Sequence, residues 1–196
     1  MVAIVKYNAG NVYSVQTALG RLGVSSLCTD DPALLMAADK VIFPGVGEAS
    51  SAMQYLRERG LDLLIRQLEQ PVLGICLGLQ LFCRHSEEGD TDCLGLFDTD
   101  VRRFPAFADT RLKVPHMGWN TLQGMQGPLF EGVREGSSVY YVHSFYAEPC
   151  AATVAFTHYG QHFSAAIQHK HYFALQFHPE KSGPVGHRIL ENFLNL

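Results

Sequence analysis

Residues 72–80 read Val-Leu-Gly-Ile-Cys-Leu-Gly-Leu-Gln, and this stretch decides the fold. The run Val72–Ile75 is a buried-strand candidate, and the helical spacing of apolar residues over 77–84 predicts a helix directly after it. Cys76 lies between the two elements, with a glycine two residues away on each side. This pattern, G-x-nucleophile-x-G, is typical of a strained strand–turn–helix elbow that presents a nucleophile.

Outward from the elbow, short apolar runs alternate with helical patterns. In the first half the apolar runs are 2–5 and 40–43, and the predicted helices are 12–22, 49–59 and 61–68. In the second half, β-rich runs at 138–146, 152–157, 163–168 and 172–177 predict antiparallel additions, and a last helix opens at 182–184. The sequence therefore predicts one α/β domain over 1–196, with a mostly parallel central sheet flanked by helices and antiparallel additions in the second half.

The composition of the chain excludes several classes of protein. Hydrophobic residues make up 47% of the 196 residues, as in a globular domain, and the net charge is −4. No basic stripe indicates a nucleic-acid surface, and no apolar run approaches the roughly 18–20 residues that span a bilayer. The N-terminus lacks the features of a signal peptide. Five cysteines without a CxxC pair favour free thiols and a cytoplasmic location.

Cys76 suits a nucleophile for two reasons. The positive end of the following helix favours thiolate over thiol. The backbone N–H of Leu77 points to where an oxyanion would form. The alternative is a buried, inert cysteine on a glycine-rich turn, because free cysteine is among the most buried residue types.

The segment His178-Pro179-Glu180 offers a base and its orienting group. It follows the β-rich run 172–177, and Pro179 disfavours a helical backbone at His178. Since residues i and i+2 of an extended chain point to the same face, Glu180 would approach the His178 ring and fix its tautomer. The alternative is a histidine at a strand end beside a solvated glutamate.

Other histidine pairs carry weaker signals. His169 and His171 have a spacing that suits a shared metal, as do His158 and His162, but no cysteine or carboxylate completes a persuasive ligand set. The chain also lacks a G-x-x-x-x-G-K-[ST] phosphate loop. We therefore expect no metal and no cofactor.

Together these residues resemble the class I, triad-type glutamine amidotransferases over essentially the whole chain. The segments G-I-C-L-G-L-Q at 74–80 and F-H-P-E at 177–180 carry the resemblance. Within that family the chain is similar to the glutaminase subunits of imidazole glycerol phosphate synthases, which act in histidine biosynthesis. Further support comes from P-G-V-G at 44–47, P-H-M-G-W-N at 115–120, V-H-S-F at 142–145 and E-K-S-G at 180–183.

The resemblance implies a reaction and a partner. L-glutamine would be hydrolysed through a thioester on Cys76, with His178 as acid and base and Glu180 as its orienting group. In a heterodimer, the ammonia would pass to a cyclase subunit that is itself a (β/α)8 barrel. The other implied roles are an oxyanion hole from Leu77, Val46 and Gly47, glutamine binding by Gln80, Glu88, Ser144 and Phe145, and a partner interface at Asn11, Trp119, Tyr140 and Lys181.

The loop 44–47 is predicted to be a switch, and the alternative is a static loop whose glycines only allow close packing near the strand end. Leu77 N–H is fixed by the elbow, so the second oxyanion donor must come from this loop, where two glycines let a peptide rotate at little steric cost. The opening motif departs from the family pattern, because Lys6 and Asn8 stand where a small or acidic residue and a glycine are usual.

Three other functions stay open. The chain could be the glutaminase of a different synthase, although the segments at 115–120 and 180–183 argue against this. A cysteine hydrolase or peptidase on a similar α/β scaffold is disfavoured by Gln80 and the loop 44–47. A non-catalytic binding subunit is disfavoured because Cys76, His178 and Glu180 are all present.

Overall fold

The structure is a computed structural model that describes residues 1–7, 11–108 and 111–196, so that Asn8 and Gly10 of the opening motif lie outside the described residues. The strands of the described ranges are β1 (Val2–Val5), β2 (Ser26–Thr29), β3 (Lys40–Phe43), β4 (Val72–Ile75), β5 (His85–Ser86), β6 (Thr91–Asp92), β7 (Asp100–Arg103), β8 (His116–Thr121), β9 (Ser138–His143), β10 (Phe145–Ala147), β11 (Thr153–His158), β12 (His162–His169) and β13 (Tyr172–Leu175). The α-helices of the same ranges are α1 (Val12–Arg21), α2 (Pro32–Met36), α3 (Ala49–Glu58), α4 (Leu61–Gln67), α5 (Leu77–Phe82) and α6 (Gly183–Leu194).

Seven of the described strands form the central sheet, in the spatial order β11-β12-β13-β4-β3-β1-β2. Neighbours from β13 to β2 pair in parallel, and β12 and β11 add antiparallel at the other edge. The predicted fold class is therefore confirmed. The segments that leave β1, β3, β4 and β13 begin with Lys6, Pro44, Cys76 and Gln176. Because the carboxyl ends of parallel strands collect ligand sites, this edge positions the candidate site.

Both faces of the central sheet are covered, which explains why its strands are nearly continuous apolar runs. Along β1, Ala3 and Val5 pack into one hydrophobic core, and Val2 and Ile4 pack into the other. Buried side chains of α2, α3, α4 and α5 join the first core, while those of α1 and α6 join the second. No helix in the described ranges is long and apolar enough to cross a bilayer.

Two β-rich runs differ from their predicted placement. The run 138–146 breaks at Ser144, so that β9 pairs with β8 in a separate sheet while β10 joins β5, β6 and β7 in another. The run 172–177 supplies β13, which is antiparallel to β12 but parallel to β4. A β-rich sequence marks a strand without selecting its partner, because packing across the whole chain decides the pairing.

Short elements account for the remaining differences. The strands β2, β7 and β8 and the helix α2 carry no strong local pattern, and the polar segment 87–92 contains β6. Helix α5 ends at Phe82, two residues before the predicted end, because Cys83 adopts an extended backbone with ψ 178°.

Candidate active site

Cys76 occupies the turn between β4 and α5 with φ 54° and ψ −104°, a conformation that costs a non-glycine residue roughly 1–3 kcal/mol. Glycines on both sides make this turn possible. A Cβ on Gly78 would lie 2.1 Å from Phe43 O, and a Cβ on Gly74 would lie 2.9 Å from the carbonyl carbon of Gly78. The backbone at Cys76 therefore has the strained geometry that the elbow pattern predicts.

His178 and Glu180 form a buried pair. His178 Nδ1 lies 2.8 Å from Glu180 Oε1, and each side chain is 1% exposed. His178 is extended, with φ −97° and ψ 97°, as predicted. Glu180, however, lies in the 3-10 turn Pro179–Lys181, so a helical turn rather than strand alternation brings its carboxylate to the ring. Pro179 fits this arrangement because proline suits the first position of a helical turn.

The protonation state of His178 follows from its neighbours. Burial lowers the pKa of His178, but Cys76 as thiolate and Glu180 as carboxylate outweigh burial and raise this pKa to about 10. Since Nδ1 is bound to Glu180, Nε2 is the nitrogen available to Cys76, and this buried atom has no hydrogen-bond partner of ordinary length among the described residues. The raised pKa of His178 favours an imidazolium at this position at neutral pH.

The N–H of Leu77, the predicted oxyanion donor at the elbow, already has an acceptor. It donates to Gly45 O at 3.4 Å, a carbonyl of the loop 44–47. In this structure the loop therefore occupies the N–H that was predicted to bind the oxyanion. Gly47, in the same loop, has φ 130°, which glycine adopts far more readily than other residues.

Tyr7 contacts the start of the loop 44–47. Its hydroxyl donates to Pro44 O, and its ring stacks on Phe43 with 4.9 Å between the ring centroids. A Cβ on Gly45 would lie 2.4 Å from the Tyr7 hydroxyl oxygen and 2.6 Å from Leu77 Cβ, so no larger residue fits there. Burial, with a smaller effect of nearby Cys76, raises the pKa of Tyr7, so its hydroxyl stays protonated and can donate.

A cleft of about 330 Å³ opens over Cys76. The structure brings all four residues of the predicted glutamine site to this cleft: Gln80, Glu88, Ser144 and Phe145. Val46 and Gly47 line the same cleft, so the predicted oxyanion residues lie there as well. The site residues thus converge, although they come from four separate parts of the chain.

Both amide hydrogens of Gln80 are used in hydrogen bonds within the protein. Its Nε2 donates to Phe145 O at 2.9 Å and to Gln176 Oε1 at 3.2 Å, so Oε1 is the atom that it can offer to a ligand. Gln176 in turn places its Nε2 3.8 Å from Cys76 Sγ. Gln176 is fully buried, and sequence reasoning missed it because one glutamine in a β-rich run carries no distinct signal.

Glu88 has one carboxylate oxygen engaged within the protein. Its Oε2 accepts the N–H of Ala49 at 2.8 Å, at the start of α3. Burial raises the pKa of Glu88, and the nearby Glu48 adds to this, while the bond from Ala49 acts in the opposite direction. Glu88 therefore borders the cleft as a half-buried carboxylate rather than as a solvated surface charge.

The predicted partner residues divide into two groups. Asn11 donates its Nδ2 to Glu180 Oε1 at 3.0 Å, so it contacts the buried pair directly. Trp119 is 58% exposed and meets Tyr140 edge to face, with 6.0 Å between ring centroids, and Lys181 is exposed. Trp119 therefore lies at the surface rather than in the core.

Of the histidine pairs considered for a metal, His158 and His162 lie close to each other, whereas His171 contacts a backbone carbonyl. The His158 and His162 rings lie 4.9 Å apart, and His171 Nε2 lies 2.6 Å from Leu68 O. Within residues 1–7, 11–108 and 111–196, no three histidine, cysteine or acidic side chains cluster in a way that could hold a metal ion.

Relatives of known structure share this fold. A crystal structure titled as a glutamine amidotransferase aligns with a TM-score of 0.76 at 19% identity, covering 100% of this chain and 98% of that one. A putative GMP synthase protein from Thermoplasma acidophilum aligns with a TM-score of 0.75 at 21% identity, covering 100% and 92%. At these identities the likeness concerns the fold alone.

Sequence comparisons extend the likeness beyond the fold. The chain is 57% identical over 195 residues to the imidazole glycerol phosphate synthase subunit HisH of Bacteroides thetaiotaomicron, covering 100% of this chain and 99% of the relative. It is 47% identical to the HisH subunit of Idiomarina loihiensis, covering 100% and 97%. Residues 4–196 match the family model for glutamine amidotransferase class-I. The chain therefore belongs to the class-I glutamine amidotransferase family.

Proposed function

We propose that the chain is the glutaminase subunit of an imidazole glycerol phosphate synthase and that Cys76, His178 and Glu180 hydrolyse its glutamine. One observation carries the proposal. The buried His178–Glu180 pair, joined at 2.8 Å, lies beside a strained Cys76 that lines a cleft. The similarity to HisH subunits over the whole chain supports the choice of synthase.

The first half of the proposed reaction forms a thioester. The Cys76 thiolate attacks the side-chain amide carbon of glutamine, and the carbonyl oxygen becomes an oxyanion. His178 gives its Nε2 proton to the departing nitrogen, so that ammonia leaves as the C–N bond breaks. Glu180 holds the ring through Nδ1 and stabilises its positive charge before that proton is given up.

The second half releases glutamate. His178, now neutral, takes a proton from a water molecule that attacks the thioester carbon. The C–S bond breaks, the Cys76 thiolate is regenerated, and His178 is again an imidazolium. This chemistry is complete with side chains and water alone.

The loop 44–47 would control the oxyanion hole. With Gly45 O accepting the N–H of Leu77, an oxyanion has to compete for that donor. Rotation of the Gly45–Val46 peptide would withdraw this carbonyl and turn the Val46 N–H toward the cleft. Because one oxyanion donor is worth about 10²–10³ in rate, this rotation accounts for a large difference between resting and active states.

The ammonia requires a docked acceptor, because ammonia released into water becomes ammonium and loses its nucleophilic lone pair. We assign the docking face for the cyclase subunit to Asn11, Trp119, Tyr140 and Lys181. A cleft of about 590 Å³ borders Glu180 between α1 and α6, and Arg21, Lys181 and His187 line it. The positive charges of Arg21 and Lys181 suit an acidic surface on the partner.

The Cys76→Ala variant tests this proposal. In the complex with a cognate cyclase, we expect glutamine-dependent synthesis to fall by about 10⁴ or more, because removing the nucleophile prevents the thioester. Added ammonia should still support the cyclase reaction, which is the internal control for folding and docking. Retained glutamine-dependent turnover would exclude Cys76 as the nucleophile.

A further inference from the structure

Two buried histidines lie at the cleft over Cys76, which we call the glutamine cleft, and the proposed reaction does not use them. His116 on β8 faces His143 on β9 directly across the strand pair, and the two residues are 3% and 5% exposed. The His116 ring is stacked between Tyr159 and Tyr141, with centroid distances of 3.9 Å and 4.8 Å. His143 also lines the cleft over Cys76.

Hydrogen bonds join these rings into one chain that ends at the cleft. Asn120 Nδ2 lies 3.3 Å from His116 Nε2, and His116 Nδ1 lies 2.9 Å from His143 Nε2. His143 Nδ1 then lies 2.7 Å from Phe145 O. Each of the four ring nitrogens therefore has one hydrogen-bond partner within the protein.

At one end of this series of hydrogen bonds, Asn120 determines which ring nitrogen donates and which accepts. Asn120 Oδ1 accepts the N–H of Thr121 at 2.8 Å, and Nδ2 donates to His158 O at 3.0 Å, so the amide cannot be flipped without losing both bonds. The second hydrogen of Nδ2 then points to His116 Nε2, which must accept it. A neutral imidazole that accepts at Nε2 carries its proton on Nδ1.

The Phe145 end demands the same direction. A carbonyl oxygen only accepts, so His143 Nδ1 must carry the proton, and His143 Nε2 must accept from His116 Nδ1. Burial keeps both rings neutral, because it lowers the pKa of His116 to about 4 and is the main cause lowering the pKa of His143 to about 3. Both ends therefore select the Nδ1-protonated tautomer.

We propose that His116 is a positioning residue for the glutamine cleft: it holds His143 in the tautomer that orients the Phe145 carbonyl. The same carbonyl accepts Gln80 Nε2 at 2.9 Å, so its orientation also sets the side chain that presents Oε1 to the substrate. This inference rests on the proposed glutaminase function, since glutamine is the ligand that the cleft would hold.

The tautomers can be measured directly in the full chain. Nitrogen-15 NMR of histidine-labelled protein at neutral pH should show His116 and His143 protonated at Nδ1 and unprotonated at Nε2. Free histidine prefers the opposite tautomer, so packing alone does not predict this result. A proton on Nε2 of either ring would overturn the proposal.

A matched pair of variants tests the effect on glutamine. His116→Leu and His116→Asn have similar shapes and both lose the stacking on Tyr141 and Tyr159, but only asparagine places an N–H donor where Nδ1 lies. In complex with a cognate cyclase, we expect His116→Leu to raise the KM for glutamine about tenfold while kcat changes less, because His143 Nε2 loses its donor. His116→Asn should stay within about threefold of the wild-type KM.

Equal KM values for the two variants would overturn the positioning role and leave only packing. If His116→Leu fails to fold, the tautomer measurement on the wild-type chain still decides the proposal. That measurement uses no glutaminase activity, so its failure is distinct from a failure of the proposed function, which the Cys76→Ala variant detects.

Discussion

The elbow around Cys76 and the loop 44–47 border the same cleft but are held in different ways. At the elbow, Cys76 is 6% exposed, and Gly74 and Gly78 leave no space for a Cβ. In the loop, Pro44 and Gly45 are buried, Val46 is half-buried and Gly47 is exposed. Packing thus fixes the nucleophile. The loop 44–47, by contrast, is buried at its start and exposed at its end.

This difference separates the chemistry from its control. The groups that would transfer protons are assembled before any partner binds, since His178 and Glu180 are already joined in a buried pair. The contact from Leu77 N–H to Gly45 O is weak at 3.4 Å, so a small bias on the loop suffices to break it. We therefore expect variants of the assembled groups to abolish activity and variants of the loop to alter its regulation.

After Cys76→Ala, the largest effect is expected for Glu180→Gln. Glutamine has nearly the same shape, but it carries no charge to stabilise the His178 imidazolium and can present an N–H to Nδ1. We expect kcat in the complex to fall by about 10²–10⁴ with little change in KM, because Glu180 does not touch the substrate. Glu191 on α6, which pairs with Arg188 at 2.8 Å outside the cleft, offers a control, since Glu191→Gln should leave both constants unchanged.

The pH profile of Glu180→Gln sharpens this expectation. Cys76 and Glu180 together raise the pKa of His178 to about 10 against the lowering by burial. Without the carboxylate this pKa falls, so the imidazolium that protonates the leaving nitrogen is lost at a lower pH. The alkaline limb of the rate profile should therefore move to lower pH. A raised KM with unchanged kcat would show that Glu180 binds substrate rather than orienting His178.

Gly47→Ala is expected to have a smaller effect, and it should raise activity rather than lower it. Alanine is strained at φ 130°, so the resting loop loses stability. If the observed loop is the inactive form, glutamate release without the partner's ligand should rise about tenfold, and stimulation by that ligand should shrink.

The control for this variant is Gly136→Ala, at another positive φ of 77° with open space around it and outside the cleft. It should lose a similar amount of stability without a change in basal rate. If Gly47→Ala behaves in the same way as Gly136→Ala, the loop is not the switch.

Whether a contact in the site could be predicted from sequence depends on how far apart the two residues lie along the chain. The turn at Cys76 and the meeting of His178 with Glu180 rest on residues within two positions of each other, so short patterns predicted them. The 3-10 turn at Pro179 still differs from the extended path expected there. Even within one short segment, the same proline is compatible with two backbone paths.

Contacts between distant strands could not be predicted in this way. Gln176 reaches Cys76 across 100 residues, and His143 meets His116 across 27. Both depend on which strands pair, and the break at Ser144 that sends β9 and β10 to different sheets has no local signature. The family resemblance named the cleft residues, but it did not give their hydrogen bonds or show that Gly45 O occupies the N–H of Leu77.

The most direct test of the central claim is glutamate release by the wild-type chain in three states: alone, with a cognate cyclase, and with the cyclase and its nucleotide ligand. We expect slow release by the chain alone and an increase of about 10²–10³ or more in the liganded complex, the size of one or two oxyanion donors becoming available. Full-rate release by the chain alone would contradict the account, because the loop would then not restrain an assembled site.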